Sequence, residues 1–455
     1  MKYLLLILGL ALLSQAGRAN VKKNYNQYCA NCHGDRGQGG MAESFLDQKW
    51  EYGNSDEQIA HIIREGIPDM GMEAYKDVLN AKETRSMVIY IQELVAKANQ
   101  LPSPASTEGI FRTEHQNFRI ETLLENPKRM WGLSFLPDDR ILITEFEGAV
   151  RILESDGTLL PPIEGIPDSL RRGQGGMLDV AVHPDYEQNG WIYLSFAEGS
   201  KEKSMTTIVR GKLIANRWVD QEIIYRAEES FRSGKGVHFG SRIVFKDGYV
   251  FFSIGERGHQ DQAQDLNRPN GKIHRLHDDG SIPKDNPFVG SSNQPSIWTY
   301  GNRNPQALAF RPGTHELWST EHGPRGGDEL NLLKPGLNYG WPKVTFGMNY
   351  NGTPITEHTS LPDMEPPVWH WTPSIAVCGM AFVNGAIYPG WKGDILAGGL
   401  KSQVIERLRV GETGIEEREV LLKDQGRVRD IKTGNDGYLY VILDGDGSKV
   451  IRLLP

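Results

Sequence analysis

One hairpin pattern recurs six times along this chain, and that recurrence constrains the fold more than any other feature. An apolar strand leads into a turn of Asp, Gly or Pro, and a second strand follows. The copies start at Leu133, Val180, Arg242, Leu308, Met380 and Asp430, with partner strands beginning at Ile141, Trp191, Tyr249, Leu317, Asp394 and Tyr438. Period-2 alternation around tight turns reads as antiparallel hairpins. Six recurrences, about 45 to 72 residues apart, read as blades of a β-propeller rather than a β-sandwich. The unequal spacing places long inserted loops mostly between the second and fifth copies. Gly 51 and Pro 25 in 455 residues suit so many turns.

The first hundred residues follow a different pattern. Met1-Lys2-Tyr3, an apolar run from Leu4 to Leu13, and Gly17-x-Ala19 before Asn20 read as a secretory signal peptide at 1–19, with cleavage after Ala16 as an alternative. The run is too short to span a bilayer comfortably, and no later stretch is apolar enough to do so. The expectation is an exported, periplasmic protein that does not span the membrane after cleavage. The net charge of −8 is spread along the chain with no long basic run, so nucleic-acid binding has no electrostatic footprint.

Three cysteines are too few for a disulfide scaffold, and two of them have another use. Cys29-Ala-Asn-Cys32-His33 is a CxxCH motif. Two thiols three residues apart add to the two vinyl groups of one haem, and His33 then lies beneath the iron as proximal ligand. A redox dithiol would not need the His, and no second Cys or His pair is spaced for zinc. A sixth ligand of thioether type comes from Gly66–Ala74, which offers Met70 and Met72. A helix-patterned segment, Thr84–Leu94, follows. The expected organisation is a small all-α cytochrome domain at 20–100, a Pro/Ser-rich linker at 101–117, and an all-β six-bladed propeller at 118–455.

The CxxCH motif followed by Gly34, a methionine loop and a "YI" pair at Tyr90-Ile91 resembles class I bacterial cytochromes c. Counting back from Tyr90 at that family's spacing favours Met72 over Met70, although Glu73 stands where the family usually has Pro. In the propeller, a series of segments in one order resembles the soluble quinoprotein glucose and aldose sugar dehydrogenases. They are Gly173–Asp185, Val237–Arg242, Gly271–Leu276, Asp279–Pro287, Gly301–Gln306, Glu321–Pro324, Asp328–Asn331, Asn338–Pro342, Trp371–Ala376 and Arg427–Asp430.

That resemblance implies pyrroloquinoline quinone (PQQ) and Ca²⁺ on the propeller. PQQ is a flat ortho-quinone with three carboxylates. By resemblance Arg303, Lys401, Arg427 and Arg429 hold its carboxylates and quinone oxygens, and Gln174 and Asn304 add neutral hydrogen bonds. The carbonyls of Gly323 and Pro324 would bind Ca²⁺, with Asp328, Glu329 and Tyr339 at positions of further calcium ligands in some members. His238 would be the general base, taking the proton of the anomeric hydroxyl, with Glu256 at the family's Asp position. Trp369 and Trp371 could face a sugar ring or simply pack, and Asp261 stands where glucose-preferring relatives carry Gln. The implied function is an aldose dehydrogenase passing electrons through haem c to a downstream respiratory acceptor. A PQQ enzyme for pyranosones or alcohols, and a non-catalytic ligand-binding propeller, are the alternatives.

Overall fold

The structure, a computed structural model, describes residues 20–445 and 447–455, so the signal-peptide reading of 1–19 lies outside the described residues. They divide into two compact units: residues up to Val95 with Asn349–Pro354, and Ala96–Met348 with Ile355–Pro455. Among the described residues no helix is long and apolar enough to cross a membrane.

The first unit is built from helices Val21–Tyr28, Ala30–His33, Asp56–Glu65 and the first part of Ala81–Ala98. Local chemistry sets their ends. Asn20 caps the first through its side chain, and Ser55 with Gln58 forms a capping box on the third, which Gly66 ends at φ 72°. The outer helices cross where Tyr25 meets Tyr90 edge-on, ring centroids 5.1 Å apart. Ile59, Ile63, Leu79, Met87, Val88 and Ile91 complete a small core.

The second unit is a six-bladed propeller. Its innermost strands are Met130–Phe135, Met177–Val182, Ile243–Lys246, Pro305–Phe310, Val377–Phe382 and Arg427–Thr433, one for each expected hairpin. Each runs antiparallel to its partner strand, and the hydrophobic core lies between adjacent blades. Leu142, Val150 and Ile152 of blade one, for example, pack on Val180, Leu194 and Phe196 of blade two. The ring closes when Phe118–Asn126 pairs with the last strand, Ser448–Leu454, so the sixth sheet takes strands from both ends of the propeller sequence. That closure cross-links residues far apart in sequence and removes a free edge.

The Pro/Ser-rich stretch does more than tether. Within the expected linker at 101–117, Ala105–Thr107 and Ile110–Arg112 form a hairpin that extends the sixth sheet. The cause is Phe111, whose ring stacks on buried Phe118 at 5.0 Å.

One side chain plugs the propeller axis. Arg242 is 1% exposed. Its guanidinium meets Asp179 Oδ1 at 3.1 Å, Asp430 Oδ2 at 3.0 Å, Gln306 O at 2.7 Å and Arg429 O at 2.7 Å, and lies 4.1 Å from the Trp131 ring centroid. Cys378 Sγ is 3.9 Å away. From the edge of blade three, it therefore touches the innermost strand of each of the other five. A buried guanidinium with two buried carboxylates and carbonyl acceptors is a satisfied network, and it makes a solid floor.

Candidate active site

Antiparallel pairing puts the N-terminal end of every innermost strand and the C-terminal end of its partner on the same face of the propeller. The propeller residues expected to hold the cofactor and calcium and to act as base lie at that face. Gln174, His238, Arg303, Asn304 and Arg427 stand at or just before innermost strands; Glu256, Gly323, Pro324 and Lys401 follow second strands; Arg429 is two residues into its strand.

Contacts join most of them in a ring around the axis. The His238 N–H donates to Gln174 Oε1 at 2.7 Å, and His238 Nδ1 pairs with Glu256 Oε1. Glu256 N–H donates to Arg303 O at 2.8 Å. Arg303 N–H donates to Glu321 Oε1 at 3.0 Å, while its Nη1 donates to the carbonyls of His322 at 2.9 Å and Gly323 at 2.7 Å. Asn304 Oδ1 accepts from Gly240 N–H at 3.0 Å. Gly323 N–H donates to Asp328 Oδ1, whose other oxygen accepts from Val377 N–H. Cys378 Sγ donates to Arg429 O at 3.0 Å, and Arg429 reaches Asp444 at 3.3 Å. Asp444 also meets Arg129 at 3.2 Å and Arg427 at 4.0 Å. Lys401 is exposed and is not joined to this ring.

The electrostatics are those of a site for an anion beside a neutral base. Burial pushes His238 below the usual imidazole range, with Arg303 and Arg257 adding to the shift and Glu256 opposing it. Burial and the charges of Arg429 and Arg303 push His322 down to about 3. Both imidazoles are therefore neutral near pH 7. Because Nδ1 of His238 is tied to Glu256, Nε2 is the nitrogen left to take a proton. His238 sits at φ 53°, a left-handed conformation uncommon for a residue with a Cβ, and such strain concentrates at functional sites. Glycines let the backbone close in around it. A Cβ on Gly255 would lie 2.3 Å from His238 O, and one on Gly173 2.2 Å from Gly236 O.

Among the described residues, the buried polar atoms at this face that make no hydrogen bond include Arg303 Nε, Arg429 Nε, Glu256 Oε2 and His322 Nε2. Unpaired buried groups are rare and costly in folded proteins. With Arg129, Arg303, Arg427 and Arg429 gathered here, the donor set fits a planar ligand bearing several carboxylates. The Gly323 and Pro324 carbonyls fit a hard cation by type but not by charge. Both are neutral; Gly323 O already accepts from Arg303 and Pro324 O from Ser374 Oγ at 2.8 Å. A Ca²⁺ there needs negative charge from a ligand outside the chain.

Other expectations resolve differently. Trp371 is buried and donates through Nε1 to Glu406 at 2.9 Å, so it packs; Trp369 carries Arg418 over its ring. Tyr339 is buried with its hydroxyl donating to Leu332 O at 2.7 Å. Asp261 is exposed, in the turn Gln260–Ala263. Arg129 and Arg171, whose guanidinium groups both lie over the Phe146 ring, were missed by the sequence reading. Their signal was position: Arg129 immediately precedes the first innermost strand, and Arg171 lies just ahead of Gln174.

In the first unit, Cys29 is half-buried and Cys32 exposed. Burial and the neighbouring Cys32 push the Cys29 thiol up to about 11. His33 stacks on Phe45, centroids 4.3 Å apart, with Nδ1 3.4 Å from Glu43 O, which directs Nε2 away from the backbone. Met70 is 64% exposed, whereas Met72 is half-buried and tied by backbone hydrogen bonds to Ile67. Cys29, Cys32 and His33 lie on one helical turn, the arrangement that a covalently attached haem requires.

Comparison with known proteins agrees with this division. Residues 124–452 match the family model "Glucose / Sorbosone dehydrogenase", and 16–91 match "Cytochrome C oxidase, cbb3-type, subunit III". The aldose sugar dehydrogenase YliI of Escherichia coli (strain K12) is 40% identical over 345 residues, covering 74% of this chain and 92% of that protein. Quinoprotein glucose dehydrogenase B of Acinetobacter calcoaceticus is 27% identical over 430 residues, covering 76% and 89%. The crystal structure of the soluble aldose sugar dehydrogenase of E. coli in its apo-form superposes with a TM-score of 0.71 at 39% identity, covering 74% of this chain and 99% of that one.

Proposed function

The chain belongs to the Glucose / Sorbosone dehydrogenase family, and on that premise we propose that it is a periplasmic PQQ-dependent aldose dehydrogenase that relays electrons to its own covalently bound haem c. The observation that carries the reading is the neutral His238, paired with Glu256 and set beside Arg303 and His322 at the end of the propeller axis.

PQQ, when bound with Ca²⁺, supplies a quinone that accepts hydride, and haem c supplies a one-electron carrier leading to a respiratory acceptor. Arg303, Arg427, Arg429 and Lys401 would hold PQQ, with Gln174 and Asn304 contributing neutral hydrogen bonds. The Gly323 and Pro324 carbonyls would hold Ca²⁺. His238 Nε2 takes the proton of the anomeric hydroxyl as that carbon gives up its hydride, and Glu256 orients the ring and stabilises the imidazolium. The Arg242 floor closes the axial channel beneath.

The test follows the haem absorption of the full haem-loaded chain on adding aldoses, with PQQ and Ca²⁺ present or withheld. Haem reduction that needs PQQ, Ca²⁺ and sugar, and that is lost in His238→Ala, is the expected result. Dye-linked turnover with an oxidised haem would remove the internal relay. PQQ binding without aldose turnover would point to another substrate, such as a pyranosone, and no PQQ binding would point to a ligand-binding propeller.

A further inference from the structure

The tetrapeptide Gly255-Glu256-Arg257-Gly258 braces the segment carrying His238 at every position. Gly255 admits the His238 carbonyl, and Glu256 takes Nδ1. Gly258, at φ 74°, packs where a Cβ would lie 2.7 Å from the Lys235 side chain and 3.0 Å from that of Val237. Arg257 makes the most contacts. It is fully buried, and Nη1 donates to Val237 O, while Nη2 donates to Lys235 O at 2.8 Å and Ser204 Oγ at 3.1 Å. Its guanidinium lies 3.4 Å from the Phe239 ring centroid. One rigid fork thus fixes carbonyls one and three residues before His238 and stacks on the residue after it.

We propose that Arg257 is a positioning residue for the catalytic base, clamping the backbone before His238 and the Phe239 ring after it so that its strained conformation holds the ring against Glu256. This rests on the reading of His238 as base. A buried guanidinium without a hydrogen-bonded carboxylate is an expensive way to fill space, and burial lowers its own pKa to about 9. Two effects divide between its parts. The planar fork sets geometry, which an ammonium cannot reproduce. The positive charge, with Arg303, disfavours protonation of His238 against the pull of Glu256; His322, the other titratable group facing it, is neutral.

The experiment compares Arg257→Lys and Arg257→Met in the full chain. One readout is the NMR titration of the His238 imidazole in the protein without PQQ, assigned by its loss in His238→Ala. The other is kcat and KM for an aldose in the loaded enzyme. Arg257→Met should lower kcat about 100-fold, the cost of an ångström-scale misplacement, with KM nearly unchanged and the His238 midpoint moved to higher pH. Arg257→Lys should keep the wild-type midpoint and recover only part of kcat. Wild-type kcat and midpoint in both variants would overturn the proposal, as would loss of kcat only in proportion to loss of folded protein. If the wild type oxidises no aldose, the functional reading fails, and the titration alone still decides whether Arg257 governs His238.

Discussion

The cytochrome unit and the propeller site would hold a redox group in opposite ways. In the first, Cys29, Cys32 and His33 lie within five consecutive residues on a half-exposed helical turn, and covalent bonds would do the holding. In the second, the site is gathered from Arg129 to Asp444, each blade contributing a residue at one face, and buried charges and hydrogen bonds do the holding. A local covalent site depends little on the fold around it. A distributed site is only as good as the ring that assembles it, so its chemistry and its stability should fail together or be separable only by choice of residue.

The largest effect tests that separability. His238→Ala should lower kcat on the order of 10³-fold, within the range for loss of a general base, while leaving the propeller's Tm and the haem spectrum unchanged. A Tm that falls with activity would mean that His238 is structural. Arg242→Met does the reverse. It leaves Asp179 and Asp430 buried without their cation, which should cost about 3–5 kcal/mol in denaturant unfolding of the propeller, again with the haem spectrum intact. A haem signal that shifts with either variant would break the contrast between the two regions.

Glu256→Gln comes next. Removing the carboxylate takes away the contribution that raises the His238 pKa and loosens the ring's orientation, so kcat should fall about 100-fold while the acid limb of its pH profile moves lower. Arg257→Met moves that limb the other way, and the opposite signs distinguish charge from geometry. A smaller effect concerns Ca²⁺. Because Gly323 and Pro324 offer only neutral oxygens beside Arg303, calorimetry should find Ca²⁺ binding about tenfold tighter with PQQ present than without it, and PQQ binding tightened equally by Ca²⁺. Ca²⁺ affinity independent of PQQ would place the ion elsewhere.

The same contrast explains what the sequence made legible. CxxCH is readable because its chemistry lies in adjacent residues, and the six hairpins because alternation and turns are local signals. His238, Arg303 and Arg429 were found only through a family resemblance, since nothing within ten residues of any of them marks it as facing the axis. Once the strands are placed, direction alone puts them on one face. Arg129 and Arg171 show the limit: their motifs are unremarkable, and only blade closure brings Arg129 to Asp444. The hairpin within the linker was not legible because Phe111 looks like an isolated aromatic until Phe118 is seen to be buried beside it.

The smallest predicted effect is a near-cancellation in the propeller's response to acid. Burial holds His274 and His322 down to about 3, against an ordinary value of 6.5. As pH falls below 6.5 the unfolded chain binds protons that the folded one refuses, so these residues take stability away between 6.5 and 3. Burial raises Glu321 to about 7, Asp328 to about 6, and Glu329 well above the carboxylate range. There the folded chain keeps protons that the unfolded one releases, so the stability they confer is complete below their ordinary values and lost as pH rises through 6 to 7. Between about pH 5 and 6.5 the two sets oppose each other, and the propeller's Tm without PQQ should be nearly flat. Below about pH 4.5 the carboxyls are protonated in both states, the histidines act alone, and Tm should drop. His322→Gln removes one side of the balance, so the plateau should tilt, with Tm falling as pH rises from 5 to 6.5. A plateau that keeps its slope in that variant would mean that His322 takes up its proton as readily in the folded chain as in the unfolded one.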